Sequence, residues 1–131
     1  MAASPERPFL RVRCARLEDR AAIGRVAFEL ARRLGFDQRA CWEIGIVVQE
    51  LFSNLVRHAS GGYLELLADP QYLEVTATDK GPGIPPAVLS AAESSQHGLG
   101  AIRRLTHKLE ISSPPEGGTR IVARRELGRR L

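Results

Sequence analysis

Apolar residues recur every three or four positions in two long segments, the spacing of one face of an α-helix. The first segment runs from about Leu17 to Leu34 and is followed by Gly35, a residue that favours helix termination. The second begins after Asp37, a favourable N-cap, and runs to about His58. Its apolar positions are Cys41, Ile44, Val47, Val48, Leu51, Phe52 and Leu55. The pattern therefore predicts two consecutive amphipathic helices.

Alternating apolar and polar positions predict strands on both sides of these helices. The expected strands cover residues 10–14, 63–68, 72–78, 108–113 and 119–125, and a third helix covers 99–107. Residues 80–97 form the one long irregular segment, with a helical turn expected near 86–92; such long loops are often functional. This order predicts an α+β fold, a two-layer α/β sandwich with a mixed, mainly antiparallel sheet and helices on one face.

Composition and charge narrow the functional classes. The chain has 131 residues and a net charge of +4, but its 19 basic residues are spread along it and aromatic residues make up only 5%. Nucleic-acid binding is therefore not expected. Cys14 and Cys41 lack metal-type spacing and are expected in the core.

Length predicts a single domain. We expect a flexible N-terminus at residues 1–8, one domain at 9–125 and a basic tail at 126–131. Residues 1–8 lack the apolar segment of a signal peptide, and no run approaches 18 apolar residues. A cytoplasmic location without membrane contact is the expectation.

The second predicted helix carries a candidate acid and amide at one edge of its apolar face. Glu50 and Asn54 are four residues apart, with Arg57 close behind. A carboxylate and an amide at the border between core and water suit the handling of a metal ion and a proton. The alternative is a solvated helix edge with a Glu/Arg pair.

A glycine-rich loop follows the third predicted strand, with the sequence Asp79-Lys80-Gly81-Pro82-Gly83-Ile84. Glycines let the backbone turn sharply and approach a flat ligand, and a carboxylate accepts from an exocyclic amine such as adenine N6. The alternative is a tight turn between two elements of secondary structure.

Two further segments contain glycine at positions where the backbone could contribute to ligand binding. Residues 94–100, ending in Gly98-Leu99-Gly100, precede a predicted helix and form a candidate phosphate cradle, or merely a helix cap. Gly117-Gly118-Thr119 forms either a hairpin turn or a site where the Thr119 hydroxyl lies beside the Asp79 carboxylate.

The order of these motifs resembles that of the GHKL ATPase superfamily, whose nucleotide site is called the Bergerat fold. The segments that carry the resemblance are "QELFSNLVRHASGG", "DKGPGIP", "HGLGAIRRLTHKLEISS" and "GGTRIVARR". The resemblance spans about residues 10–125. Within the superfamily the chain is most similar to the small bacterial serine/threonine switch kinases and anti-sigma factors, of the RsbT type before the RsbW/SpoIIAB type.

The resemblance implies that ATP and Mg²⁺ are the cofactors. It implies Glu50 as general base, Asn54 as magnesium ligand and Arg57 as phosphate contact. It implies that the remaining matched residues bind the nucleotide: Asp79 reads adenine, Gly81, Gly83 and Ile84 belong to the adenine pocket, Gly98, Leu99 and Gly100 cover the phosphates, and Thr119 completes the adenine hydrogen bonds.

The resemblance also implies an activity and partners. The expected activity is ATP-dependent phosphorylation of a serine or threonine on a STAS-type antagonist protein, which would regulate a sigma factor or a downstream phosphatase. The second glycine box is shorter here than in RsbT-type proteins, since Ala101 follows Gly98-Leu99-Gly100, and residues 81–102 contain no Arg or Lys. The alternatives are a non-catalytic nucleotide-binding anti-sigma or activator module, a detached histidine-kinase ATP domain, and a domain without nucleotide.

Overall fold

The computed structural model describes residues 9–58, 61–79, 81–94 and 98–131. A short 3-10 turn at Leu17–Asp19 precedes the first helix. In chain order the elements are β1 (Phe9–Cys14), α1 (Arg20–Leu34), α2 (Gln38–His58), β2 (Gly62–Asp69), β3 (Tyr72–Asp79), α3 (Pro86–Ser94), α4 (Leu99–Arg104), β4 (Lys108–Ser112) and β5 (Thr119–Glu126). The expected order is confirmed, with the helical turn of the long segment extended into the nine-residue helix α3.

The five strands form one sheet in the order β1-β2-β3-β5-β4. The predicted two-layer α+β class is confirmed, and one detail is corrected: all four pairings among the described strands are antiparallel, so the sheet is not mixed. Two consecutive helices separate β1 from β2, so β2 runs in the direction opposite to β1. Strand β5 lies between β3 and β4, which places the ends of β3 and β5 side by side.

The helices cover one face of the sheet and enclose the core. Helix α2 packs against α1, α4 and strands β1, β2 and β3. Its apolar face is fully buried at Val48, Leu51 and Phe52, and each such large side chain contributes about 1.5–3 kcal/mol by leaving water. Because the core fixes this face, the polar residues at its edge have defined positions.

The two residues inferred from the sequence to end α1 and to cap α2 are confirmed in these roles. Gly35 adopts a left-handed conformation with φ of 102°, and its N–H donates to Ala31 and Arg32 carbonyls at the end of α1. Asp37 caps α2, since its Oδ1 accepts the Ala40 N–H at 2.8 Å.

The two cysteines are core residues, as predicted, with 0% and 1% exposure for Cys14 and Cys41. Burial raises the pKa of the Cys14 thiol to about 11, and it also raises the pKa of the Cys41 thiol. Both side chains therefore remain neutral thiols near pH 7.

The chain termini were assigned to separate segments on sequence grounds. Residues 1–8 lie outside the described residues, so the expected flexible N-terminus stays a prediction. At the other end, β5 extends to Glu126, and the Leu127 N–H donates to the Gln71 carbonyl at 2.9 Å.

Within the described part of the chain, no helix combines the length and apolarity needed to cross a bilayer.

Candidate functional site

Asp79 is the last residue of β3 and lies between the first residues of two neighbouring strands. Thr119 of β5 is its paired residue on one side, and a Cβ added to Gly62 of β2 would lie 3.2 Å from the Asp79 Cα on the other. The Asp79 side chain is thus enclosed at the end of the sheet, with only 1% of the residue exposed.

One oxygen of this buried carboxylate has no hydrogen-bond partner. Oδ1 of Asp79 accepts the Gly81 N–H at 2.8 Å, whereas Oδ2 is buried without a partner among the described residues. Burying a carboxylate oxygen without a donor is costly, so an unsatisfied oxygen of this kind points to a ligand that supplies one. An amino group of a bound molecule has the required chemistry.

The loop after β3 returns onto the start of β5 and forms one wall beside Asp79. The Ile84 N–H donates to the Thr119 Oγ1 at 2.7 Å, and Thr119 is only 4% exposed. Gly83 has a φ of 87°, and a Cβ there would lie 3.0 Å from both the Gly118 carbonyl carbon and the Thr119 Oγ1. Glycine is therefore required at position 83 by both conformation and space.

A Gly83→Ala substitution tests this close approach. We expect it to displace the Thr119 hydroxyl and lower both nucleotide affinity and the melting temperature, because an L-residue at this φ is strained and its Cβ meets the neighbouring strand. Gly128→Ala is the matched control, with a φ of 74° but open space around the added Cβ. Equal losses in the two variants would assign the effect to backbone strain rather than to contact with Thr119.

The second part of the candidate site is the polar edge of α2, which is only partly exposed to water. Asn54 is 9% exposed, and its Nδ2 is buried without a partner among the described residues. Glu50 is half-buried and pairs with Arg20, whose Nη2 lies 3.2 Å from the Glu50 Oε1. This ion pair joins α2 to α1, and Arg57 on α2 is exposed.

The glycine segment before α4 is only partly described. Gly98 has a φ of 63° and its carbonyl accepts the Ile102 N–H at 3.1 Å, so it acts as the cap of α4. Leu99 and Gly100 are buried and fix the start of this helix against the core. The preceding part of the proposed phosphate cradle, residues 95–97, and Lys80 of the first glycine loop lie outside the described residues.

Connectivity brings the α2 and β3 parts to the same end of the fold. The Gly61 N–H donates to the Leu55 carbonyl at 3.2 Å and closes the end of α2. The next residue, Gly62, begins β2 beside Asp79. The last turn of α2 and Asn54, which directly precedes it, therefore lie at the same sheet end as Asp79 and Thr119.

The sequence analysis did not single out two residues of this region. Arg20 lies 30 positions before Glu50, and no periodic pattern connects the two. Ser53 is polar yet 3% exposed within the apolar stretch of α2, which is the one local feature that could have drawn attention to it. The Arg20 Nε donates to the Ser53 Oγ at 2.8 Å.

Comparison with known proteins identifies the family of this chain. The family model described as "Histidine kinase-like ATPase domain" matches residues 14–125, so the chain belongs to that family. This membership confirms the superfamily resemblance and supports ATP binding. A search of curated proteins gave no match.

A solved structure agrees with the fold. The mycobacterial sensor histidine kinase MprB is similar to this chain with a TM-score of 0.50 and 17% sequence identity, covering 90% of this chain and 98% of that one. At this identity the likeness concerns the fold alone.

Proposed function

We propose that this protein is an ATP-dependent protein serine/threonine kinase of a bacterial, cytoplasmic partner-switching system. Its substrate would be a STAS-type antagonist protein, and its phosphorylation would regulate a sigma factor or a downstream phosphatase. The observation that carries the nucleotide-binding part of the proposal is the Oδ2 of Asp79, which is buried and has no partner in the described part of the chain. The RsbT-like motif order favours serine or threonine as acceptor over histidine.

The residues at the sheet end fit an adenine base. An exocyclic amine would donate to the Asp79 Oδ2, for which the described residues provide no donor. The Thr119 Oγ1 already accepts from Ile84, which leaves its O–H to donate to a ring nitrogen. Gly81 and Gly83 keep side chains away from the approach to this pair.

The edge of α2 fits a magnesium ion and an incoming hydroxyl group. Asn54 would hold Mg²⁺ through its side-chain oxygen, since this ion accepts one or two protein oxygens and takes its other ligands from phosphate and water. When bound, the ion neutralises phosphate charge. Glu50 would take the proton from the serine hydroxyl, and Arg57 and the Gly98–Gly100 segment would contact the phosphates.

Phosphoryl transfer to a protein acceptor tests the proposal. Purified protein with γ-labelled ATP and Mg²⁺ should label a serine or threonine on at least one member of a panel of STAS-domain proteins, and EDTA should abolish the labelling. Asn54→Ala should reduce the labelling more than Asn54→Asp, since Asp keeps an oxygen ligand. Label on a histidine, or none on any STAS protein, would contradict the kinase assignment.

A non-catalytic nucleotide-binding module is the second candidate. The specific observation in its favour is the short second glycine box, in which α4 has only six residues and Ala101 follows Gly100. Isothermal titration with ATP and Mg²⁺, followed by analysis of the bound nucleotide, separates the two functions. Stably bound, unchanged ATP in the presence of the STAS panel would favour the module, and no binding at millimolar ATP would contradict both.

A further inference from the structure

Arg20 joins the start of α1 to the proposed catalytic edge of α2. Its Nη2 donates to the Glu50 Oε1 at 3.2 Å, and its Nε donates to the Ser53 Oγ at 2.8 Å. One planar guanidinium therefore contacts two side chains on successive turns of the same helix. Two simultaneous bonds from a rigid group fix an orientation that a single ion pair would leave free.

Further hydrogen bonds hold the guanidinium itself in place. The Ser53 Oγ donates to the Gln49 carbonyl at 2.9 Å, and the Gln49 Nε2 donates back to the Arg20 carbonyl at 3.4 Å. These four residues, Arg20, Gln49, Glu50 and Ser53, form a closed network between α1 and α2. Ser53 is 3% exposed, so this anchor lies in the packed interface between the helices.

The two side-chain oxygens of Glu50 have different surroundings in this network. Oε1 is bound by Arg20, while Oε2 has no hydrogen-bond partner among the described residues. A proton acceptor needs one free oxygen aimed at the substrate hydroxyl, and rotation of an unrestrained Glu side chain would lose that aim. The side chains of Arg20 and Glu50 are 38% and 20% exposed, and pairs with this much exposure contribute little to stability.

We propose that Arg20 is a positioning residue: it holds the Glu50 Oε1 towards α1 and thereby presents Oε2 to the acceptor hydroxyl. This inference rests on the proposed kinase function, in which Glu50 is the proton acceptor. Arg20 does not contact the reacting atoms in this scheme. Its effect passes entirely through the orientation of Glu50.

The first test compares Arg20→Ala with a matched variant in the labelling assay. Arg20→Ala should lower kcat about 10- to 100-fold while leaving ATP affinity and the melting temperature close to those of the wild type. Arg20→Lys should recover part of the loss, since one of the two contacts can re-form. The control is Arg32→Ala, which removes an exposed Arg of α1 that pairs with Glu29 at 3.0 Å, away from Glu50; it should have no effect.

A double-mutant cycle separates positioning from a structural role. In a Glu50→Gln background, Arg20→Ala should cause no further loss, because the group it positions can no longer accept a proton. Equal losses in both backgrounds, or a raised KM for ATP, would overturn the inference. If the wild type labels a STAS protein and the cycle is additive, only the role of Arg20 fails; if the wild type labels none, the proposed function fails with it.

Discussion

Replacing Glu50 with Gln is expected to lower the rate of phosphoryl transfer about 10²- to 10⁴-fold and to leave ATP binding unchanged. Gln has the same size, and its side-chain oxygen can still accept from Arg20, which in this structure lies 3.2 Å from the Glu50 Oε1. The amide cannot take a proton from the incoming hydroxyl, however. A general base contributes about 10²- to 10⁴-fold, and we expect kcat to fall by this factor in both Glu50→Gln and Glu50→Ala.

The measurement combines the labelling assay with titration of ATP and Mg²⁺. Glu29→Gln is the matched control, because Glu29 also pairs with an Arg of α1 but lies at an exposed position, with its side chain 52% accessible. This variant should label the STAS protein at the wild-type rate. Comparable labelling by wild type and Glu50→Gln would remove Glu50 from the role of general base.

Asp79→Asn is expected to weaken ATP binding without destabilising the fold. The new amide can keep the bond from the Gly81 N–H, but it places an N–H donor at the position of Oδ2, which has no partner among the residues that the structure describes. That donor would face the amine of adenine, which is also a donor, so the hydrogen bond to the base would be lost. A hydrogen bond to a charged group is worth about 1.5–3 kcal/mol, which corresponds to about a 10- to 100-fold loss of affinity.

The stability of Asp79→Asn should not fall together with its ATP affinity, and this difference makes the result specific to the nucleotide contact. The substitution removes a buried charge, one oxygen of which has no partner within the described ranges, so the melting temperature without nucleotide should stay the same or rise. Asp69→Asn is the control: Asp69 also accepts an N–H two residues ahead, from Gln71 at 2.9 Å, but in the β2–β3 turn. Unchanged ATP affinity in Asp79→Asn would contradict the assignment of the adenine contact.

The secondary structure was predictable wherever one local cause dominated. Helix α2 follows from its apolar periodicity and from the Asp37 cap, both of which act within a few residues. The β2–β3 hairpin likewise follows from alternation around a two-residue turn at Pro70-Gln71. The third helix was expected to reach residue 107, but α4 ends at Arg104, and the Thr106 hydroxyl bonds back to the Ile102 carbonyl. Such frayed ends depend on tertiary packing.

The motifs of the candidate site could be predicted from the sequence, but the positions and contacts of their side chains could not. Motif order placed Asp79, Gly83 and Thr119 together, and the structure pairs Asp79 with Thr119 across β3 and β5. Asn54 was expected at a border with water and is instead 9% exposed. The partner of Glu50 was not predictable, because contacts across 30 residues depend on how α1 packs against α2.

The sequence by itself determined most of the helices and strands and the α+β class, because periodicity, capping and glycine placement act locally, and it supplied the candidate residues of the site. Only the tertiary structure decided that the described strands pair antiparallel, that one oxygen of Asp79 is buried with no donor among the described residues, and that Arg20 holds Glu50. These three facts depend on which distant segments meet in the folded chain. That choice is made by packing of the whole core, which no local pattern records.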